Sequence, residues 1–242
     1  MDRSELYDKM AERKIKPKDF EPYTGGNGRI DKCVSLIRQG DLRSGGTLLD
    51  VGGAIGDLGY AVRDLFEERW LVDISWENCR AASSKGNIAQ KVDVDKDALP
   101  FVADSADLIC ALDFIEHIVD PENFARECFR LLKSSGEVFI NTPNIQFYEH
   151  IQTLIHTGYF PHTSGDKDVF HGGHLAFYTY NDLRLIFDVA GFTCAEQIMD
   201  TEGYKNPPEF WVNMYRPRNQ EHYKQICMRL GCPNLLFKAI KP

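Results

Sequence analysis

The sequence predicts an α/β fold built on a largely parallel sheet. Three observations carry this. Short apolar runs alternate with stretches of helical spacing five times within about 100 residues, as parallel strands joined by crossover helices do. The first run, Leu48–Val51, leads directly into a turn of small residues, Gly52-Gly-Ala-Ile-Gly56. The first run carries Asp50, and acids or amides stand at the ends of later runs: Asp73, Asp95, Asp113 and Asn141-Thr-Pro-Asn144. Ligands bind at the carboxyl ends of such strands, so these groups should gather along one edge.

Taken in order, residues 1–29 form a polar arm with helical spacing over Glu5–Arg13 and a glycine cluster at Gly25–Gly28. It is either a mobile arm or a lid with Tyr7 or Tyr23 facing inward. Ile30, Cys33, Val34 and Ile37 give a helix that Gly40 ends. Leu48–Val51 is the first strand, continuous enough in its apolar character to be buried on both faces. A helix over Leu58–Phe66 follows, with Leu58, Ala61, Val62 and Leu65 on its core side. The turn between them permits close backbone approach, because glycine tolerates positive φ and has no Cβ. The helix start behind it offers unpaired N–H groups and partial positive charge.

Trp70–Ile74 is the second strand. Its Asp73, 17 residues after Gly56, suits two ribose hydroxyls, as in dinucleotide folds. A helix over Trp76–Ser84, a strand over Ile88–Val94 and a strand over Asp107–Leu112 come next. Pro121–Leu132 reads as a helix capped by Asp120 and stopped by Gly136, before a strand over Glu137–Asn141. Helices are further expected over Ile145–His156, Asn181–Ala190 and Gln220–Leu230, and strands over Phe192–Met199 and Asn234–Ile240.

Composition narrows the function classes. The 242 residues carry a net charge of −8, and 43% are apolar and 26% charged, as in soluble globular proteins. No basic run opposes that charge, so a nucleic-acid backbone is a poor partner. No apolar run approaches the ~20 residues of a membrane helix, and the N-terminus lacks a hydrophobic signal core. A cytoplasmic protein with no membrane partner, monomeric or homodimeric, is expected. The odd number of cysteines, seven, without a Cys-x-x-Cys pair, indicates free thiols rather than disulfides or zinc.

Four local features together resemble the class I S-adenosylmethionine-dependent methyltransferases. They are Leu49–Gly56; Val72-Asp-Ile-Ser75; Asp95–Phe101 with Ser105–Ile109; and Glu116-His117, Asp120-Pro121 and Leu131–Gly136. The likeness covers roughly residues 30–200 and the last strand. It is nearest to the small-molecule group, type 11/23-like, related to ubiquinone and methionine-pathway methyltransferases. His174–Tyr180, with the helix ending Ala190-Gly191-Phe192, is similar to that family's segment before its sixth strand.

The resemblance implies a Rossmann-like seven-stranded sheet of order 3-2-1-4-5-7-6, strand 7 antiparallel, with helices on both faces. It implies a methyltransferase domain over 30–242, with acceptor-site insertions at about 144–175 and 201–233. It makes S-adenosylmethionine the cofactor, held by Asp50, Gly52, Gly53, Ala54, Gly56, Asp73 and Ile74, with Val94, Leu112 and Asp113 beside it. Asp93 or Asp95 would accept from the adenine amino group, the register leaving both open. Ala54 departs from the usual glycine and fits if its φ is negative.

The sulfonium is already activated, so the protein needs only to align attack and exclude water. A hydroxyl acceptor also calls for a base. His117, His171 and His174 are the candidates, with Asp113 facing the methyl group. Three histidines and Asp113 could approach a metal, but no compact ligand spacing supports one, and none is expected. The aromatic residues of 147–170 and 204–215 suit a small acceptor, for which O-methylation of a sugar, glycan precursor or natural product is the leading reading. The alternatives are an NAD-dependent oxidoreductase, which predicts a sixth parallel strand, and a non-catalytic module that binds S-adenosylmethionine. Asn206-Pro-Pro-Glu-Phe210 and Gly53-x-x-Gly56-x-x-Gly59 are weak look-alikes of amino-methylation and dinucleotide motifs.

Overall fold

In a computed structural model of the chain, residues 3–40, 45–158, 173–198 and 203–242 are described. Seven strands form one sheet: β1 (Gly46–Val51), β2 (Phe66–Asp73), β3 (Ile88–Lys91), β4 (Ala106–Leu112), β5 (Leu132–Pro143), β6 (Thr193–Ile198) and β7 (Asn234–Ile240). Their order is β3-β2-β1-β4-β5-β7-β6. β1 to β5 pair in parallel. β7 runs antiparallel to both β5 and β6. This is the implied order. The antiparallel β7, inserted between β5 and β6, departs from the sixth strand paired in parallel that the oxidoreductase alternative required.

The helices are α1 (Arg3–Lys14), α2 (Gly28–Gln39), α3 (Asp57–Ala61), α4 (Trp76–Ser84), α5 (Pro121–Leu131), α6 (Tyr148–Thr157), α7 (Tyr180–Val189), α8 (Glu209–Met214) and α9 (Gln220–Gly231). The central strands β1 and β4 are apolar on both faces, and each face carries its own core. Leu49, Val51, Ile109 and Ala111 face one core with Phe124, Leu183 and Phe187. Leu48, Leu108 and Cys110 face the other with Cys33, Ile37 and Leu58. At about 25 cal/mol per Å² of apolar surface removed from water, these two layers supply the main drive for folding.

Several boundaries differ from the sequence reading, and in the first two cases below strand pairing overrides local spacing. The helix after the glycine turn stops at Ala61, since Phe66 enters β2 opposite Gly46. α5 ends at Leu131, before Gly136, because Leu132 pairs with Ala106. α6 begins at Tyr148 rather than Ile145. There the Asn144 side chain donates to the carbonyls of Arg229 and Cys232 at 2.8 and 2.7 Å and accepts from the Gln146 N–H at 2.9 Å. The expected Asp120 cap is present, its carboxylate accepting the Asn123 N–H at 2.8 Å.

α8 is not among the helices expected from the sequence. Val212 from it packs with Ile226 and Leu230 of α9, flanked by Tyr148, Trp211 and Tyr223. Cys33, Cys79, Cys110, Cys128 and Cys227 are free thiols. No helix among the described residues is long and apolar enough to cross a membrane.

Candidate active site

β1 ends in a turn whose geometry dictates its residues. Gly52 has φ +69°, and a β-carbon there would overlap the Phe114 ring. A β-carbon on Gly53 would overlap the Asp50 carboxylate. Gly56, at φ +76°, precedes α3, and a β-carbon on it would strike Ala82 of α4 and Asn87 just beyond that helix. The Asn87 side chain donates to the Gly56 carbonyl at 3.0 Å. Gly56 thus fastens the turn to α4 and stands behind the cavity wall.

Ala54 is the unexpected residue. Its φ is +46°, which corrects the expectation of a negative angle. The left-handed region costs a residue with a β-carbon roughly 1–2 kcal/mol. The Ala54 N–H donates to Asp73 Oδ2 at 3.1 Å, which helps hold it there. Asp73 Oδ1 accepts from the Ser75 N–H at 2.8 Å and from Asn78 Nδ2 at 3.0 Å. Burial nonetheless raises the Asp73 carboxyl above its ordinary value.

Two cavities flank the turn and share Gly52, Ala54 and Asp113. The first adds Asp73, Ile74, Asp93, Val94, Phe114 and His117. Arg3 and Tyr7 of α1 complete its wall. The second adds Asn27, Arg29, Asp50, Gly53 and Leu112. Asp50 is only 3% exposed, and burial with Asp73 and Asp57 nearby pushes its carboxyl up to about 7.

The two acids flanking Val94 take different places. Asp93 lines the first cavity and pairs with Lys96 at 2.9 Å. Asp95 is absent from that wall. It accepts the Val119 N–H at 2.8 Å and an Arg3 guanidinium N–H. Asp113, with φ +51°, pairs with Arg29, and its Oδ1 is buried without a hydrogen-bond partner.

After β4 a single helical turn, Ile115–His117, carries the next ionisable groups. Glu116 is 1% exposed, and burial pushes its carboxyl up to about 7. Thr142 of β5 donates to its Oε2 at 2.9 Å. The Glu116 carbonyl accepts the N–H groups of Leu175 and Ala176 at 2.7 and 3.3 Å. That brings His174 beside His117, ring centroids 4.7 Å apart and nearly perpendicular. Burial lowers the His117 value, so the ring is neutral at pH 7. His171 lies outside the described residues, as do Tyr159, Phe160 and Phe170.

Comparisons with known proteins identify the family. A family described as a methyltransferase domain matches residues 29–197. The chain belongs to the S-adenosylmethionine-dependent methyltransferases. Their cofactor, S-adenosylmethionine, is therefore this chain's cofactor. A ubiquinone biosynthesis O-methyltransferase of Xanthomonas oryzae is 28% identical over 163 residues, 61% of this chain and 66% of that protein. The chain thus spans slightly less than two thirds of that relative.

Among solved structures, the methyltransferase in a Haloferax volcanii complex with the activator Trm112 superposes with TM-score 0.64. It is 18% identical over 100% of this chain and 99% of its own. The Haemonchus contortus phosphoethanolamine N-methyltransferase 2, in complex with S-adenosylmethionine, gives 0.59 at 18% identity, over 90% of this chain and 53% of its own. These two likenesses speak for the fold.

Several cavity-wall and ion-pair residues had no signal in the sequence. Arg3, Arg29, Asn78 and Phe114 reach the cavities from separate elements. Only Asn78, in the first turn of the helix that follows Asp73, was open to inference from spacing. The aromatics expected to surround an acceptor are partly committed elsewhere: Phe147 is buried, and Tyr148 and Trp211 pack in the satellite core of α8 and α9.

Proposed function

We propose that this chain transfers the methyl group of S-adenosylmethionine to a hydroxyl oxygen of a small-molecule acceptor. The acceptor class is a sugar, a glycan precursor or another hydroxylated natural product. One observation carries the reading. The wall that begins at Gly52, Ala54 and Asp73 continues without a break to Asp113, Phe114 and His117, so the cofactor's place adjoins ionisable groups suited to handle a hydroxyl proton. The O-methyltransferase relative supports oxygen as the acceptor atom.

In this reading Asp73 takes one ribose hydroxyl. Each carboxylate oxygen has two lone-pair sites, and the bonds from Ala54, Ser75 and Asn78 leave one vacant. Asp93 takes the adenine amino group, since Asp95 is turned to Arg3 and Val119. Asp50 and the backbone of Gly52–Ala54 face the amino-acid end. Ile74 and Val94 flank the nucleoside, Leu112 borders the amino-acid end, and Asp113 faces the methyl group. His117 and His174 stand at the acceptor side. Arg3 and Tyr7 support a lid role for the 1–29 arm, with 144–175 and 201–233 contributing acceptor contacts.

Calorimetric titration tests the first half. Binding of S-adenosylmethionine and S-adenosylhomocysteine at micromolar to tens of micromolar concentration is expected, and no heat at millimolar cofactor overturns it. A screen of hydroxylated acceptors by release of S-adenosylhomocysteine tests the second half. Turnover only on amines or carbon acids would remove oxygen as the acceptor atom.

A further inference from the structure

We infer that Glu116, His117 and His174 form a site for one divalent transition-metal cation beside the cofactor cavity. One ligand atom from each lies within 4.8 Å of those of the other two. The residues come from segments 57 positions apart in the sequence. They are pinned together by the Glu116 carbonyl, which accepts the Leu175 and Ala176 N–H groups.

Each part of the cluster is prepared for a cation. Glu116 is buried, with Oε2 fixed by Thr142, while Oε1 is buried and has no hydrogen-bond partner. A buried carboxylate oxygen left so is costly, and a cation removes the cost. His117 Nδ1 lies 3.1 Å from the Gly173 carbonyl. A carbonyl only accepts, so Nδ1 carries the proton and the lone pair is at Nε2. An imidazole whose second nitrogen donates to a carbonyl is the usual arrangement around bound metals. The nearby Arg3 charge, on the His117 carbonyl, is matched by Asp95.

The donor set selects the ion. Two imidazoles and one carboxylate suit zinc, iron, cobalt or manganese better than magnesium or calcium, which prefer all-oxygen shells. Three protein ligands leave a coordination position open, as catalytic sites do. His117 lines the cavity that holds Gly52 and Asp73, so that position faces the acceptor side.

A hydroxyl coordinated there becomes more acidic. Its proton leaves to solvent water, its oxygen forms the new bond to the methyl carbon, and the electron pair of the broken carbon–sulfur bond returns to sulfur, leaving a neutral thioether. The histidine lone pairs then hold the cation rather than that proton. This role rests on the methyl-transfer reading; the cation site itself does not.

The test uses the full chain without an affinity tag, stripped by chelator and titrated with Co(II) and Zn(II). Calorimetry gives the stoichiometry, and the visible bands of Co(II) report the ligands. One equivalent is expected to bind the parent protein. Glu116→Gln and His174→Asn should each weaken it at least tenfold, with circular dichroism and Tm showing that the fold is kept. His156→Gln, an exposed histidine on α6, should change nothing.

No 1:1 binding by the parent, equal affinity in both site variants, or the same loss in His156→Gln overturns the inference. S-adenosylmethionine is titrated in parallel. Binding of Co(II) without binding of S-adenosylmethionine keeps the cation site and removes the methyl-transfer reading. Binding of S-adenosylmethionine without Co(II) does the reverse.

Discussion

Asp73, at the end of β2, accepts the backbone N–H of Ala54 at 3.1 Å, and Ala54 is the residue of the glycine turn held at φ +46°. The acid that would take the ribose therefore also fixes a strained turn. Strain of this kind persists only where its surroundings over-determine it. Replacing Ala54 by glycine should release roughly 1–2 kcal/mol of left-handed strain, against about 0.4–1 kcal/mol of added freedom in the unfolded chain. The expected result is a Tm higher by about 1–3 °C, with cofactor affinity unchanged or slightly better. A lower Tm by thermal melting would mean that Ala54 is not strained.

The same link predicts an asymmetry between two further variants. Asp73→Ala removes the proposed ribose acceptor and frees Ala54 together. It should cost about 2 kcal/mol or more of binding, roughly thirtyfold in the Kd of S-adenosylmethionine. His174→Ala, on the acceptor side, should change that Kd less than about threefold, on the same conversion of energy into affinity. Calorimetry on both variants, after their folding is checked, decides this. Equal losses would place the ribose elsewhere.

These residues also mark how far the sequence could be read. The run Leu48–Val51, the turn and the acid after β2 are local features, so spacing alone located them. The antiparallel β7 was reached only through the family resemblance, because pairing between Glu137 and Ile240 leaves no local trace. Glu116 stands in a motif legible in the sequence, but its burial is not legible there. Glutamate is ordinarily exposed, and its burial depends on Thr142, 26 residues onward. Arg3 meets an acid 92 positions away, and such long-range ion pairs have no sequence period. The aromatics of 147–215 suggested an acceptor pocket, yet hydrophobicity alone does not distinguish a cavity wall from the satellite core that Trp211 joins.

Asp50 makes the protein pH-dependent. Its carboxyl is raised to about 7 in the folded chain by burial and by Asp73 and Asp57, while an unfolded chain returns it to about 4. The folded state therefore holds this proton more tightly. Its stabilising contribution is fully present below about pH 4 and is lost as pH rises through about 7, on the order of a few kcal/mol. Asp50→Asn should flatten the fall in stability of the cofactor-free protein between pH 5 and 8. The cofactor's ammonium group favours the ionised carboxylate, so binding at pH 6.5 should release a proton (pH chosen as roughly the midpoint of this window). Calorimetry in buffers of different ionisation enthalpy measures that release. Its absence, with the same release-free behaviour in Asp50→Asn, would show that Asp50 does not meet the ammonium group.

Arg29 closes the opposite side of the turn. Its guanidinium pairs with Asp113, and both line the second cavity, where Arg29 supplies the cation among the lining residues. The amino-acid end of S-adenosylmethionine carries a carboxylate, and planar guanidinium matches it well. In the proposed arrangement the incoming carboxylate would compete with Asp113 for Arg29 and free Asp113 to face the methyl group. Arg29 is close to half exposed, so solvent screens the pair and the effect is moderate. Arg29→Gln should weaken S-adenosylmethionine binding by about 1 kcal/mol, roughly fivefold, and reduce its salt dependence. Decarboxylated S-adenosylmethionine, which lacks the competing group, should bind parent and variant alike. If it loses affinity in step with the full cofactor, Arg29 acts by shaping the turn and not by meeting the carboxylate.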